Sequence, residues 1–284
     1  MARVNAQSIV NSGGSVASQL AELYDGLISN YQATSNASRW KNRTYSGDPQ
    51  AGSVVARRFA NSVSQDYGTA RTSGKGNKVK ADDIVIPVNV HKEIIEEVSQ
   101  NDLKRFGVNG IVAQRFTNFE MRMRAELDRA YWTQAKTEGT QTNVQYTTDV
   151  EEALETIIQS VETLSTAYID GVDRALIKVA LKPSIYGLIR QKLDFTYNFN
   201  GTTAENNIGY YHGVEVVSEL YLPSGVDYVV QVDEAIAEPV YSEGFQDDRI
   251  PLSNDHAVEL FYDYGVKAVT PDAIKYGTIT KETA

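Results

Sequence analysis

Reactive chemistry has few places to start in this chain. It contains no cysteine and only three histidines, His91, His212 and His256, far apart in sequence. Disulfides, thiolate zinc sites, iron–sulfur clusters and cysteine nucleophiles are excluded together, so proton transfer or metal binding would fall mainly to carboxylates. Adjacent carboxylates occur at Glu96 and Glu97, Glu151 and Glu152, and Asp247 and Asp248. Neighbours on a strand or helix point apart, and solvated faces explain these pairs better than a general acid and base sharing one substrate. The run GKGNK at 74–78 has glycine and lysine, but neither the glycine spacing nor the Lys-Ser/Thr ending of a phosphate loop. No nucleophile elbow, His-x-x-x-His pair or calcium-loop spacing occurs, and His212, just before Gly213, reads as a turn histidine. The residues therefore point away from an enzyme, and no cofactor or metal is expected.

Charge is more informative. The net charge of −10 hides an asymmetry: residues 1–80 carry ten Lys/Arg against four Asp/Glu, and the remainder seventeen against thirty-three. A basic front on an acidic body suggests that the first segment meets something negative, either nucleic acid or another copy of the chain. With 284 residues and 42% hydrophobic content the chain can bury one large core or two modest ones, which excludes disorder as the dominant state. No run approaches the roughly eighteen apolar residues of a membrane span, and MARVNAQSIV lacks the features of a secretory signal, so a soluble protein made in the cytoplasm is expected. The retained Met1 is read as a start from which no propeptide has been removed. Seventeen tyrosines and two tryptophans supply amphipathic rings that suit protein interfaces as well as they suit a core.

The opening fifty residues are rich in Asn, Ser, Gln and Gly and are read as an arm that cannot make a core. They carry one short amphipathic helix through Leu20, Leu23, Tyr24, Leu27, Ile28 and Tyr31. Val54 to Val98 is extended. Ile84, Ile86, Val88 and Val90 alternate, the period continues through Ile94 and Val98, and Pro87 favours an edge. Between this strand and Val54 to Tyr67 lies TARTSGKGNKVK, which predicts a long hairpin whose tip carries Arg71, Lys75, Lys78 and Lys80. From about Asn109 to Lys136 the apolar stripe Val112, Phe116, Phe119, Met123, Leu127 and Ala130 or Tyr131 predicts a helix of roughly 40 Å, with Glu120/Arg124 and Arg122/Glu126 paired on its other faces. A capping box at Thr148 and Glu151 is expected to open a second helix that ends at Asp170 and Gly171. Then follow a strand ALIKVAL and a helix IYGLIRQKL, with a loop over Asp194 to Gly209. Strands GVEVVSEL and DYVVQV bracket the turn Pro223-Ser224-Gly225, and AVELFYDY and KAVTPDAI make a last strand pair.

This order resembles the major capsid proteins of tailed bacteriophages with the Hong Kong 97 type fold. In that family a strand ending near "vvsP" runs into a helix "yalL", matched here by Val179 to Leu188. A "G.i.Gf.Vv.s..lP.g" segment follows, matched by Gly209, Gly213, Val216, Val217, Leu222, Pro223 and Gly225, and then "a...Ai", matched by Ala235 and Ile236. The resemblance covers about residues 50 to 275.

The resemblance implies an α+β chain with the Hong Kong 97-like capsid fold. Its parts would be an N-terminal arm (1–51), an extended β-hairpin loop (52–91), a peripheral domain with a long spine helix (92–145), an axial α/β domain (146–254) and peripheral C-terminal strands (255–284). It implies a major capsid protein that assembles with itself as pentamers and hexamers into an icosahedral shell. Portal, scaffolding or decoration proteins would be its further partners, and the site would be the virion, assembled in the host bacterial cytoplasm. Double-stranded DNA would be enclosed without sequence recognition and without a membrane. Arg71, Lys75, Lys78 and Lys80 become candidates for intersubunit contact. Arg39, Lys41, Arg43, Arg57 and Arg58 become candidates for intersubunit or DNA contact. Some family members crosslink a Lys to an Asn, but no partner Asn or catalytic Glu is assignable here. A scaffolding segment is not expected within the chain. Two rival readings remain: an encapsulin-like nanocompartment shell, and a carboxylate-dependent α/β enzyme.

Overall fold

The three- and four-residue apolar steps from Phe119 to Tyr131 do lie on one continuous helix of 31 residues, Val108–Glu138. The computed structural model describes residues 36–46, 52–64, 66–68, 79–100, 108–190, 194–195, 209–250, 253 and 255–282. In chain order the elements are α1 (Asn36–Trp40), β1 (Ser53–Phe59), β2 (Ala81–Pro87), β3 (Val90–Val98), α2 (Val108–Glu138), β4 (Thr140–Gln141), β5 (Val144–Tyr146), α3 (Val150–Glu162) and β6 (Ile177–Leu181). They continue with α4 (Pro183–Ile189), β7 (Asp194–Phe195), β8 (Gly209–Tyr211), β9 (Val214–Ser218), β10 (Tyr228–Val232), β11 (Ile236–Ala237), β12 (Val240–Arg249), β13 (His256–Tyr264), β14 (Lys267–Ala268), β15 (Ile274–Gly277) and β16 (Ile279–Lys281). No helix among the described residues is long and apolar enough to cross a membrane.

One compact unit is built from Val88–Asp128 and Val240–Gly265. Its sheet has the order β12-β13-β3, antiparallel throughout, with a bulge between Ser242 and Gly244. Strand alternation puts Lys92, Ile94, Glu96 and Val98 on the same face as Val258, Leu260, Tyr262 and Tyr264. This face meets the first part of α2: Lys92 binds Glu126 at 3.2 Å and Arg115 binds Glu96 at 3.2 Å. The Tyr262 and Tyr264 hydroxyls donate to Glu126 at 2.8 and 3.2 Å, and their rings stack. Burial, reinforced by Glu126, pushes the Tyr262 phenol far above its ordinary range. Glu126 thus turns to the sheet, where the sequence spacing expected it to face Arg122. Phe119, Met123 and Leu127 are buried, as the stripe requires; the side chains of Val112 and Phe116 lie outside the described residues.

The other unit is built from Trp40–Pro87, Arg129–Pro239 and Val266–Ala284. Its main sheet has seven strands in the order β4-β15-β10-β6-β9-β8-β7, with β6 parallel to β9 and β4 parallel to β15. Ala153, Leu154, Ile157, Ile158 and Val161 recur at helical spacing along α3 and pack on Ile177, Val179, Val214, Val216 and Val230 from alternate sheet positions. Each Leu or Ile fully buried there contributes about 1.5–3 kcal/mol. The opposite sheet face carries Lys178, Glu215 and Gln231, and the last part of α2 meets it where Gln231 donates to the Tyr131 hydroxyl at 2.6 Å. Gly277 cannot be replaced cheaply, since a Cβ there would overlap the Thr142 carbonyl.

Several expectations from sequence change. The alternation from Ile84 to Val98 is two strands: β2 ends at Pro87, which lacks a ladder donor, and β3 joins a different sheet. The helix after Thr148 starts at Val150 with Asp149 as its N-cap, no side-chain cap bond forms, and Glu152 instead accepts from the Thr147 N–H at 3.4 Å. It stops at Glu162, well before Asp170, and the chain folds back through a Ser165–Asp170 bridge. The strand-helix unit after it is β6 and α4, with Pro183 in the first turn of α4. β9 and β10 do lie on either side of the turn at Pro223-Ser224-Gly225, and β6 sits between them in the sheet. AVELFYDY and KAVTPDAI do not pair: β13 joins β12 and β3, while β14 joins β11 and β15 joins β10. The ends of the expected 194–209 loop are short strands, β7 and β8. The helix expected around Leu20 to Tyr31 lies outside the described residues.

Candidate interaction surface

β1 and β2 form an antiparallel ribbon with Ser53 opposite Pro87 and Phe59 opposite Ala81, as the hairpin reading expected. Period two gives it an inner face of Val54, Ala56 and Arg58 with Asp82, Ile84 and Ile86. Ala56 and Ile86 are buried together with Ala237, and Tyr45, Val54, Ile84 and Val269 pack around them. Polar clamps add to this. Arg58 binds Asp272 at 2.9 Å and lies over the Tyr168 ring, whose hydroxyl donates to Asp82. That hydrogen bond holds the Tyr168 phenol above its ordinary value. The ladder ends where the Ala60 N–H donates to the Lys80 carbonyl, and Asn61 then turns to the carbonyl of Ala167 at 2.9 Å. An open groove of about 1060 Å³ lies there, between 60–64, 79–80 and the loop 165–170.

The outer face of the ribbon is different in kind. Val55 and Val85 are directly opposite each other and are 57% and 51% exposed, and Phe59, at 58%, continues the patch. Val63 and Val79, beyond the ladder, are 75% and 73% exposed. The Arg57–Asp83 pair on the same face is solvated and contributes little energy. β-Branched and aromatic residues at alternate outward positions of a two-stranded ribbon are an unmet apolar face with open strand edges, which is the form of a surface that another protein covers.

The basic residues separate into two sets. Lys41 is buried, with its ammonium 3.5 Å from the Glu238 carboxylate, and Arg58 is held by Asp272, so both are engaged within their own unit. Arg43, Arg57 and Lys80 are exposed, and Arg39 is half-buried in the last turn of α1. Arg71, Lys75 and Lys78 lie outside the described residues. Sequence reasoning missed what Lys41 belongs to. Trp40 is buried, so 40–46 rests on its own unit, within a stretch whose sequence is expected to make no core of its own.

Glu96 is engaged by Arg115 and Glu152 by a backbone N–H, and among the described residues no group of three or more His, Asp or Glu could hold a metal ion. The side chains of Asp247 and Asp248 lie outside the described residues. His91 pairs with Asp263 at 2.8 Å on the outer face of the three-stranded sheet. His212 and Gly213, both at positive φ, make the tight turn between β8 and β9, where the sequence placed a turn histidine.

No protein-family model matches the chain, and no curated protein matches it. Solved structures do. A chain from Mycobacterium phage Che8 has a TM-score of 0.61 at 16% identity, with 86% of this chain and 90% of that chain covered. The capsid structure of the Cyanophage P-SCSP1u has a TM-score of 0.61 at 11% identity, with 84% and 87% covered. The virus-like particle from Pyrococcus furiosus has a TM-score of 0.59 at 10% identity, with 93% and 100% covered. This α+β chain therefore shares a fold with phage capsid chains over most of its length.

Proposed function

We propose that this chain, which folds as phage capsid chains do, is the major capsid protein of a tailed double-stranded DNA bacteriophage. It assembles with itself as pentamers and hexamers into an icosahedral shell around the genome. The carrying observation is that the likeness extends over 84% of this chain and 87% of a cyanophage capsid chain, so most of the architecture is shared rather than one motif. The ribbon supports it physically: its inner face is satisfied at home, and its outer face presents Val55, Phe59 and Val85 to water. In a closed shell each copy meets the same neighbours, so one modest patch repeated around a ring yields a large total.

In this reading 52–91 is the extended loop, 92–145 and 255–284 are peripheral, with α2 as the spine, and 146–254 is axial, except that 240–254 goes with the peripheral strand β13 and 266–284 with the axial sheet. Residues 1–51 are the arm. The loop tip, with Arg71, Lys75, Lys78 and Lys80, meets acidic surface of an adjacent copy. Arg39, Arg43 and Arg57 contact an adjacent copy or DNA, which is held without sequence recognition. Portal and scaffolding or decoration proteins are its further partners, the virion is its location, and assembly occurs in the host cytoplasm. The chain is structural rather than enzymatic.

Electron microscopy of the purified protein tests the proposal: closed shells are expected, and a dispersed monomer at every concentration would overturn it. A second reading, an encapsulin-like nanocompartment, is favoured by the full-length likeness to the Pyrococcus furiosus particle. Nuclease-protected DNA inside shells isolated from cells separates the two, because a nanocompartment would hold protein cargo instead.

A further inference from the structure

Two exposed leucines stand at opposite ends of β6. Leu176, 50% exposed, directly precedes the strand, and the Asp233 N–H donates to its carbonyl at 2.8 Å. At the other end the Glu219 N–H donates to the Leu181 carbonyl at 2.8 Å, so Leu220, 76% exposed, lies just beyond the last residue of the strand. Five residues of extended chain hold the two ends about 17 Å apart.

Their surroundings are complementary. Leu176 lines an open groove of about 460 Å³ together with half-buried Val172 and Val232 and buried Ala273, and the exposed Asp170 and Asp173 edge it. Of the cations nearby, Arg174 is taken up by Glu155 and Glu162 and Arg58 by Asp272, so Asp170 and Asp173 give the rim its sign. The Leu220 end is an apolar knob of the opposite sign. Arg129 lies over the Tyr221 ring, its guanidinium carbon 5.1 Å from the centroid, and Lys136 donates to the Ser224 carbonyl at 3.0 Å. Lys182 is offset by Asp227 at 3.6 Å, while Glu219 is buried and accepts from the Tyr221 N–H at 3.2 Å. A leucine mostly in water beside an arginine–aromatic pair, and an apolar groove with an acidic edge, are the two halves of an anchored contact.

Knob and groove cannot meet within one chain, because β6 is fixed between β10 and β9 in the middle of the seven-stranded sheet. Contact between two different patches of identical chains runs head to tail, and it closes into a ring when the rotation from copy to copy allows. We infer that Leu220 and the Arg129–Tyr221 pair of one copy seat in the groove of Val172, Leu176 and Val232 of the next, with Arg129 and Lys136 facing Asp170 and Asp173. This contact presupposes the shell reading and adds to it a ring contact separate from the outer face of the ribbon.

The chain has no cysteine, so introduced ones report alone. In a full-length variant with both Leu220→Cys and Leu176→Cys, the two sulfurs of one chain are too far apart to join, since a disulfide needs Cα atoms within about 7 Å. Every bond formed therefore links two copies. Oxidation of the assembled variant should give a ladder of linked chains, peptide mapping should find positions 220 and 176 joined, and each single variant should stay largely unlinked. Asp170→Lys with Asp173→Lys, both at exposed positions, should raise the concentration needed for half assembly about tenfold, and adding Arg129→Glu with Lys136→Glu should recover most of that loss. Closed shells of the double-cysteine variant without a link between 220 and 176 would overturn the contact and leave the shell reading standing. Where the cysteines themselves prevent closure, lysine variants that assemble at the unsubstituted concentration would overturn it equally. Unsubstituted protein that never assembles would overturn both.

Discussion

Arg58 lies over the ring of Tyr168, its guanidinium carbon 4.0 Å from the ring centroid, while the same guanidinium binds Asp272 at 2.9 Å. One side chain from the inner face of the ribbon therefore grips two separate segments of the body. Tyr168 completes the clamp by donating to Asp82 on the facing strand. The direction in which the ribbon leaves the body is thus fixed by side chains distant in sequence. Arg58→Met, which keeps the apolar stem and removes the charge, should lower stability by about 2 kcal/mol. It should also raise exchange at β1 and β2 amides. An unchanged denaturation midpoint with unchanged exchange would show that the buried Ala56 and Ile86 hold the ribbon alone.

The outer face predicts the opposite combination. Val55→Glu together with Val85→Lys places opposite charges across the ladder at positions already in water, so folding stability should change by no more than about 0.5 kcal/mol. In the shell reading closure should fail, because charges replace the two facing valines of the apolar patch proposed to meet an adjacent copy. Thermal denaturation and electron microscopy on the same sample check both halves, and normal shells from this variant would remove the outer face from the interface.

What the sequence revealed depended on how local the signal was. Phe119, Met123, Leu127 and Tyr131 repeat within one helix, and the hairpin of β1 and β2 is bracketed by glycine-rich polar chain, so both are legible from neighbours in sequence. The seat of 40–46 is not. Lys41 looks like a surface charge until Glu238, 197 residues away, is placed beside it, and Trp40 meets Glu215 across 175 residues. The register break at Pro87 was visible as a proline, yet the change of sheet after it depends on what β13 offers to β3, which alternation alone does not encode. Likewise β9 and β10 follow one another along the chain, and only the insertion of β6 between them sets their distance.

The basic tip gives a prediction that salt can probe. Replacing Lys75, Lys78 and Lys80 with Glu should leave soluble, folded subunits that close poorly into shells, since like charges would then face an acidic neighbour. In the unsubstituted protein the same contact should weaken as ionic strength rises toward about 1 M, where the screening length falls to about 3 Å. Light scattering during assembly measures both. Assembly of the triple variant at the unsubstituted rate in ordinary salt would exclude the tip from intersubunit contact.

Acid should find a specific weak point at the back of α3. Arg174 forks onto Glu155, with Nη1 to Oε1 at 3.0 Å and Nη2 to Oε2 at 2.6 Å, and Nη1 also lies 3.4 Å from Glu162. The hydrogen bond from Arg174 holds the Glu155 carboxyl below its ordinary value of 4.5. A carboxyl whose value is depressed on folding binds fewer protons in the native state than in the unfolded chain. Its contribution to stability is therefore complete above 4.5 and disappears as pH falls through the lowered native value. Glu155→Gln keeps the shape and removes the titration. The unsubstituted protein should be the more stable of the two near neutral pH, and the gap should close on acidification. Urea midpoints across the acid range measure that gap, and a gap that stays constant with pH would show that the fork contributes packing without its charge.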